Sequence, residues 1–280
     1  MKLLFVGDVM LGRLVNQALK ARPPEYPWGN TLDVFRSADV RFCNLEGVIC
    51  GDLPPLAGKV EAGSGGHLHM PLGAEHGFKA AGFDAVSVAN NHSMDFREEG
   101  LLQTIETLKR AGIPFAGGGV NDTEAYRPCF VERKGVKIGF LAYTSVYVPV
   151  SFPAGPDKPG CAVVNAQTAI EASYNLPYQP GSIPRIISWA NPKDKERMVE
   201  DVRQAKAQAD LVVVSWHWGQ TARGNARSLR IPLLLSTCFV CDYQEELGRV
   251  AVDAGADLVM GHHPHELQGL EVYKSALICY

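Results

Sequence analysis

Gly261-His262-His263-Pro264-His265 packs three histidines into four positions. Neutral imidazole is the commonest protein metal ligand, and a partner on its second ring nitrogen can fix its orientation. Ala256–Met260 before it predicts a short buried strand, so the cluster begins where a strand hands over to a loop. In open α/β sheets that carboxyl edge is where ligands bind. Pro264 stiffens the turn and blocks a helix. A His-rich surface loop would share the composition, but His, Asp and Glu gathered at strand ends are the expected form of a metal site.

The same placement recurs along the chain. Lys2–Val6 predicts a buried first strand, with Asp8 at its carboxyl edge. Asp8 alone suits a helix cap as well as a ligand. Val40–Cys43 predicts a second strand, followed by Asn44-Leu45-Glu46, which repeats the acid. Ala85–Val88 leads into Asn90-Asn91-His92, where Asn91 offers a neutral carbonyl oxygen and His92 can hold or donate a proton. An Asx-turn with a capping histidine would explain one asparagine but not the set. Leu211–Trp216 ends in His217. Two carboxylates, an amide and several imidazoles exceed what one tetrahedral zinc needs. The mixed O/N set suits two divalent ions such as Mn²⁺, Fe²⁺ or Zn²⁺. Two ions about 3.5–4 Å apart clamp attacking and leaving oxygens, which is phosphoester hydrolysis chemistry.

The elements that must position these groups alternate strand and helix. Helices are expected from Arg13 to about Ala21, over Gly73–Ala81 with Gly82 as C-cap, over Glu98–Ala111 with Gly112 as C-cap, over Lys193–Gln208 and over Gln244–Gly255. Phe130–Arg133 and Val136–Tyr143 predict a β-hairpin, an antiparallel interruption that hints at two sheets. A final hairpin is expected over Leu267–Tyr273 and Ala276–Tyr280. Gly117-Gly118-Gly119 lacks a following G-K-[ST] and predicts a plain turn. His67 and His69, in the loop-like 47–72, are expected to be exposed or to rim the site rather than ligate. The proline density of 145–193 predicts an irregular excursion over the surface beside the pocket mouth.

A chain of 280 residues accommodates one large α/β domain or two small ones. Its net charge of −3 offers no basic field for nucleic acid. No apolar run is long enough to span a bilayer. The apolar start at residues 1–6 is too short for a signal-peptide core, so a cytoplasmic protein is expected. The seven cysteines include one C-x-x-C, Cys238 to Cys241. With no second such pair it predicts incidental thiols over a redox pair or half a zinc site.

Gly7-Asp8-Val9-Met10-Leu11-Gly12-Arg13, Asn44-Leu45-Glu46, Asn90-Asn91-His92 with Asp95, His217-Trp218-Gly219, and Asp253–Asp257 running into Gly261–His265 resemble, in order, the CapA family. CapA proteins are linked to poly-γ-glutamate capsule synthesis and look like a branch of the calcineurin-like metallophosphoesterases. The resemblance covers nearly the whole chain. It implies a single domain over 1–280 with a four-layer α/β/β/α sandwich, and a family that usually continues past Tyr280 with a Ser-Leu-Gly-Asn-Phe-like stretch. By resemblance Asp8, Asn91 and His217 are metal ligands, Glu46 bridges the ions, and His92 is the leaving-group acid. Asp95, three residues on, is expected to orient the His92 ring as an outer carboxylate. His263 and His265 match the terminal G-H-x-H pattern by spacing, and His262 matches it by following glycine. Met10 stands where metallophosphoesterases usually carry the histidine of D-x-H, and Glu46 where they carry aspartate.

The expectation is a hydrolase with two divalent ions acting on a small or polymeric anionic substrate, a phosphoester or relative. Two alternatives remain: a component of γ-glutamyl polymer synthesis or export, and a non-catalytic binding module that keeps the fold. No nucleic-acid partner and no membrane span are expected.

Overall fold

The computed structural model describes every residue except 60–65, 148–151, 173–177, 180–183 and 222–238. Two sheets dominate it. The first is wholly parallel: β1 (Leu3–Val9), β2 (Val40–Leu45), β5 (Ala85–Ser87) and β6 (Phe115–Ala116), side by side in that order. Between β2 and β5 lie two short paired strands, β3 (Val48–Ile49) and β4 (His69–Met70). After β6, β7 (Gly118–Gly119) pairs with β10 (Gly160–Cys161), so the triple glycine feeds a strand rather than a plain turn.

The second sheet begins with the expected hairpin, β8 (Cys129–Arg133) and β9 (Val136–Thr144). Parallel to β9 run β13 (Leu211–His217), then β14 (Leu258–His262), then β16 (Ala276–Cys279), and β15 (Leu270–Tyr273) closes the far edge antiparallel. From Ile138 to Thr144 every residue of β9 is buried, as expected of a strand covered on both faces.

Period-two alternation sorts side chains between layers. Val40 and Phe42 of β2, Ile138 and Phe140 of β9, and Val213 of β13 meet in one cluster, where the sheets face each other. Phe42 and Phe140 stack there with centroids 4.9 Å apart. The opposite face of the first sheet, including Cys43 and Leu45, packs against α1 (Arg13–Leu19), α2 (Leu32–Arg36), α3 (Glu75–Ala81) and α4 (Arg97–Ala111). The short α5 (Asp122–Ala125) follows β7. The opposite face of the second sheet, including Val212, Val214 and Trp216, packs against α6 (Pro192–Lys206) and α7 (Asp242–Ala254).

Helix ends obey local chemistry. Gly82 and Gly112 end α3 and α4 in the left-handed region. Asn191 caps α6 by accepting from the N–H groups of Lys193 and Asp194. Cys241 and Gln244 form the capping box of α7, which accounts for one thiol of the C-x-x-C; Cys238 lies outside the described residues.

The proline-rich stretch 145–193, expected to be an irregular excursion, also carries regular structure among its described residues. It contains β10 and an antiparallel ribbon of β11 (Ala166–Glu171) and β12 (Arg185–Ala190). The prolines fall outside the two ribbon strands, where no ladder donor is lost. No helix among the described residues is long and apolar enough to cross a membrane.

Candidate metal centre

The inter-sheet face turns polar at its last positions. Along β13 it runs Val213, Ser215, His217; along β2, Phe42 then Asn44; along β14, Leu258, Met260, His262. The parallel strands end at a common edge, so these groups are delivered together. β1 joins them through an irregularity: its register against β2 shifts between Phe5 and Asp8, which sets Asp8 opposite Asn44. The Asn44 amide donates to Asp8 Oδ1 at 2.7 Å and lies 3.2 Å from His217 Nδ1. Gly47, just after Glu46, has φ +131°, and a side chain there would stand 3.1 Å from the Leu68 carbonyl oxygen. Gly261, just before His262, lets the strand pass Trp218, whose Nε1 would lie 2.5 Å from an added Cβ.

Asn90 makes the Asx-turn after β5, its Oδ1 accepting from the His92 N–H at 3.0 Å. Its own amide donates to the Leu45 carbonyl at 2.8 Å and to Asn44 Oδ1 at 3.2 Å. Asn91 is thereby freed for the site, where its Oδ1 is 2.9 Å from His217 Nε2. The residue preceding α4 is Phe96, with no side-chain cap bond, so the capping-histidine reading of His92 does not hold. His92 Nδ1 faces Asp95 Oδ2 at 2.7 Å, and its Nε2 is 3.9 Å from Glu46 Oε1.

Glu46 is common to two donor groups. Glu46, His217 and His263 form one, and Asp8, Glu46 and His265 the other, each with ligand atoms within 4.8 Å of one another. Glu46 Oε1 is 3.9 Å from His217 Nε2 and 3.7 Å from His265 Nε2. Asp8 Oδ2 is 3.8 Å from His265 Nε2 and accepts from the His263 N–H at 3.1 Å. The H-x-H spacing of His263 and His265 is therefore the register that enters the two groups. His262, 4 % exposed, turns Nδ1 to within 3.9 Å of Asp8 Oδ1 but belongs to neither group. His263 (φ +93°) and His265 (φ +60°) both hold a left-handed backbone, a cost of order 1–3 kcal/mol each that tends to cluster at functional sites.

The donors fit a divalent cation. Glu46 Oε1, both ring nitrogens of His262 and Nδ1 of His263 are buried without a hydrogen-bond partner among the described residues. Each such atom costs about 1–3 kcal/mol unless something pairs with it. Burial above all, then the neighbouring histidines, hold His217 well below the usual imidazole range. Burial and His265 bring His263 down to about 4, and burial lowers His262 against the pull of Asp8. The direction of these shifts favours the neutral imidazole, the form that ligation requires.

All nine candidate residues therefore stand at one edge, with Asp95 and His92 as a side-chain pair beside the donors. The histidines at 67 and 69 enter neither donor group and are not exposed. They are half-buried, with Nε2 on the carbonyls of Leu56 and Cys50 at 2.8 and 2.9 Å. Two residues of the site escaped sequence reasoning. Asn44 joins Asp8 to His217, and its signal was a polar residue on an otherwise apolar inner face. Lys59, 1 % exposed, puts its ammonium against Asp95 and the Asn91 carbonyl. A lone lysine in a loop carried no signal.

The chain is similar to proteins named for capsule, PGA and polyglutamine synthesis. It is 28 % identical over 275 residues to the capsule biosynthesis protein CapA of Bacillus anthracis, covering 98 % of this chain and 57 % of that one. It is 26 % identical over 277 residues to the PGA biosynthesis protein CapA of Bacillus subtilis (strain 168), covering 99 % and 60 %. A probable polyglutamine synthesis accessory protein of Mycobacterium tuberculosis is 26 % identical over 315 aligned positions, covering 98 % and 71 %. The chain thus spans less than two thirds of the length of the two Bacillus relatives. The family profile described as "Bacterial capsule synthesis protein PGA_cap" matches residues 2–232 and 236–280. Matched over nearly its whole length, the chain belongs to this family of bacterial capsule synthesis proteins.

Proposed function

We propose that this chain is a metal-dependent hydrolase of the metallophosphoesterase type, acting on a phosphoester or related anionic substrate in poly-γ-glutamate capsule synthesis. The observation that carries the reading is the pair of donor groups sharing Glu46, in a setting that leaves buried nitrogens and a carboxylate oxygen unpartnered among the described residues. The three apolar clusters, one between the sheets and one on each outer face, support a single domain with a four-layer α/β/β/α arrangement. The names of the relatives, which refer to capsule and PGA biosynthesis, support the link to capsule synthesis.

Asn91, His217, His263 and Glu46 would hold one divalent ion; Asp8, His265 and Glu46 would hold the other, with His262 beside Asp8. Such a pair supplies Lewis acidity and an activated water. His92 lies between Asp95 and Glu46, its Nε2 on the donor side. From there it gives a proton to the leaving oxygen, while Asp95 holds the ring from Nδ1.

The test is a screen of the protein, loaded in turn with Mn²⁺, Fe²⁺ and Zn²⁺, against phosphate monoesters and diesters. Turnover that disappears in Asp8→Asn supports the reading. A fully metallated protein that hydrolyses none of them would make it a non-catalytic binding module.

A further inference from the structure

The peptide plane between Asn91 and His92 joins a candidate metal ligand to a candidate proton donor. Both of its polar ends are pinned. The Asn90 side chain takes the His92 N–H at 3.0 Å, and Lys59 Nζ donates to the Asn91 carbonyl at 2.7 Å. Lys59 Nζ also pairs with Asp95 Oδ1 and lies 3.0 Å from His92 Nδ1. Asp95 uses its other oxygen for His92 Nδ1 and for the Leu68 N–H at 2.6 Å. One ammonium thus ties the carbonyl of residue 91 to the Asp95–His92 pair.

A stability role explains this poorly. Burying an ion pair costs several kcal/mol of desolvation per ion, and well-packed apolar replacements are often neutral or stabilising. The side chains of Lys59 and Asp95 are both 0 % exposed. What the arrangement does provide is a fixed tilt of the 91–92 plane. Rotation of that plane would swing the Asn91 amide away from His217, against which its Oδ1 now stands at 2.9 Å.

We propose that Lys59 is a positioning residue for one of the two ions. By pinning the Asn91–His92 peptide, it aims the Asn91 amide at the donor group of Glu46, His217 and His263. It leaves the group of Asp8, Glu46 and His265 untouched. The inference rests on the metal-centre reading above, and it predicts an asymmetry that general loss of structure would not produce.

The experiment is calorimetric titration of the metal-free chain with Mn²⁺, with bound metal counted by elemental analysis. The unmodified protein takes up two ions. In Lys59→Met one ion binds as before and the other about 10–100-fold more weakly, the usual cost of losing an outer partner. Because Lys59→Met leaves Asp95 buried without its cation, Lys59→Met/Asp95→Asn is compared with Asp95→Asn alone, and the same single ion weakens. Two ions bound as in the unmodified protein, or both weakened alike, overturns the proposal while the metal centre stands. A charge-neutral double variant that fails to fold makes Lys59 a folding residue and also overturns it. An unmodified protein that takes up no Mn²⁺ removes the metal centre first, and this inference with it.

Discussion

Glu46→Gln should move stability in opposite directions with and without metal. Glu46 is 4 % exposed, its Oε1 has no hydrogen-bond partner among the described residues, and Asp8 approaches the same imidazoles. An unpaired buried acceptor costs about 1–3 kcal/mol, and more when charged. Glutamine keeps the shape, removes the charge, and brings an N–H₂ within reach of His265 Nε2, now 3.7 Å from Oε1. The metal-free variant should therefore be more stable by about 1–3 kcal/mol. At about 2–4 °C per kcal/mol for a chain of this size, Tm rises by roughly 2–12 °C. With metal the sign reverses. An ion at a hundred times its Kd adds about 2.7 kcal/mol, so two add roughly 5 kcal/mol to the unmodified protein. The variant loses the carboxylate common to both donor groups and most of that gain. Scanning calorimetry with chelator and with excess Mn²⁺ gives all four values. A variant less stable than the unmodified protein without metal, yet raised as much by Mn²⁺, would refute this account of Glu46.

Three further outcomes follow from other parts of the molecule. His92→Asn should keep near-normal metal but slow hydrolysis of alkyl phosphates by ~10²–10⁴-fold, and of activated aryl phosphates much less; stripped metal would make His92 a ligand. Asp201 is pushed up to about 6 by burial, opposed by the Tyr143 hydroxyl that donates to it at 3.1 Å. The folded state then binds more protons than the unfolded state between about pH 4 and 6, so this group's contribution is present below pH 4 and lost as pH rises through 6. Asp201→Asn should flatten that decline by about 1–2 kcal/mol after solvent screening, read from urea unfolding at pH 4.5 and 7; parallel pH profiles for the two proteins would contradict it. Phe140→Ala, which removes one ring of the stacked inter-sheet pair, should cost about 3–5 kcal/mol in the same assay, and a cost under 1 kcal/mol would mean the two sheets do not share that core.

Much of the site was legible because strand ends carry it. Asp8, Glu46, Asn91, His217 and the Gly261–His265 run each follow an apolar stretch, and parallel strands bring such ends together. The register of the last three histidines was not legible, because glycine adjacency and H-x-H spacing point to different residues. The positive φ at His263 and His265 decides which rings reach Glu46. Lys59 was hidden because its partners lie 32 to 36 residues away, across a loop without periodicity. The ribbon of β11 and β12 was obscured by flanking prolines and by exposure on most of its positions, which removes the alternation that marks a half-buried strand. The inward turn of Asp8 depends on an irregularity in β1 that no residue type announces.

The central claim is that two ions share Glu46, and counting metal tests it most directly. The full chain, stripped with chelator, reloaded with Mn²⁺ and desalted, should carry two ions per chain by elemental analysis. Glu46→Gln treated alike should carry fewer than one. No retained metal in the unmodified protein, or two ions in both proteins, would contradict the account.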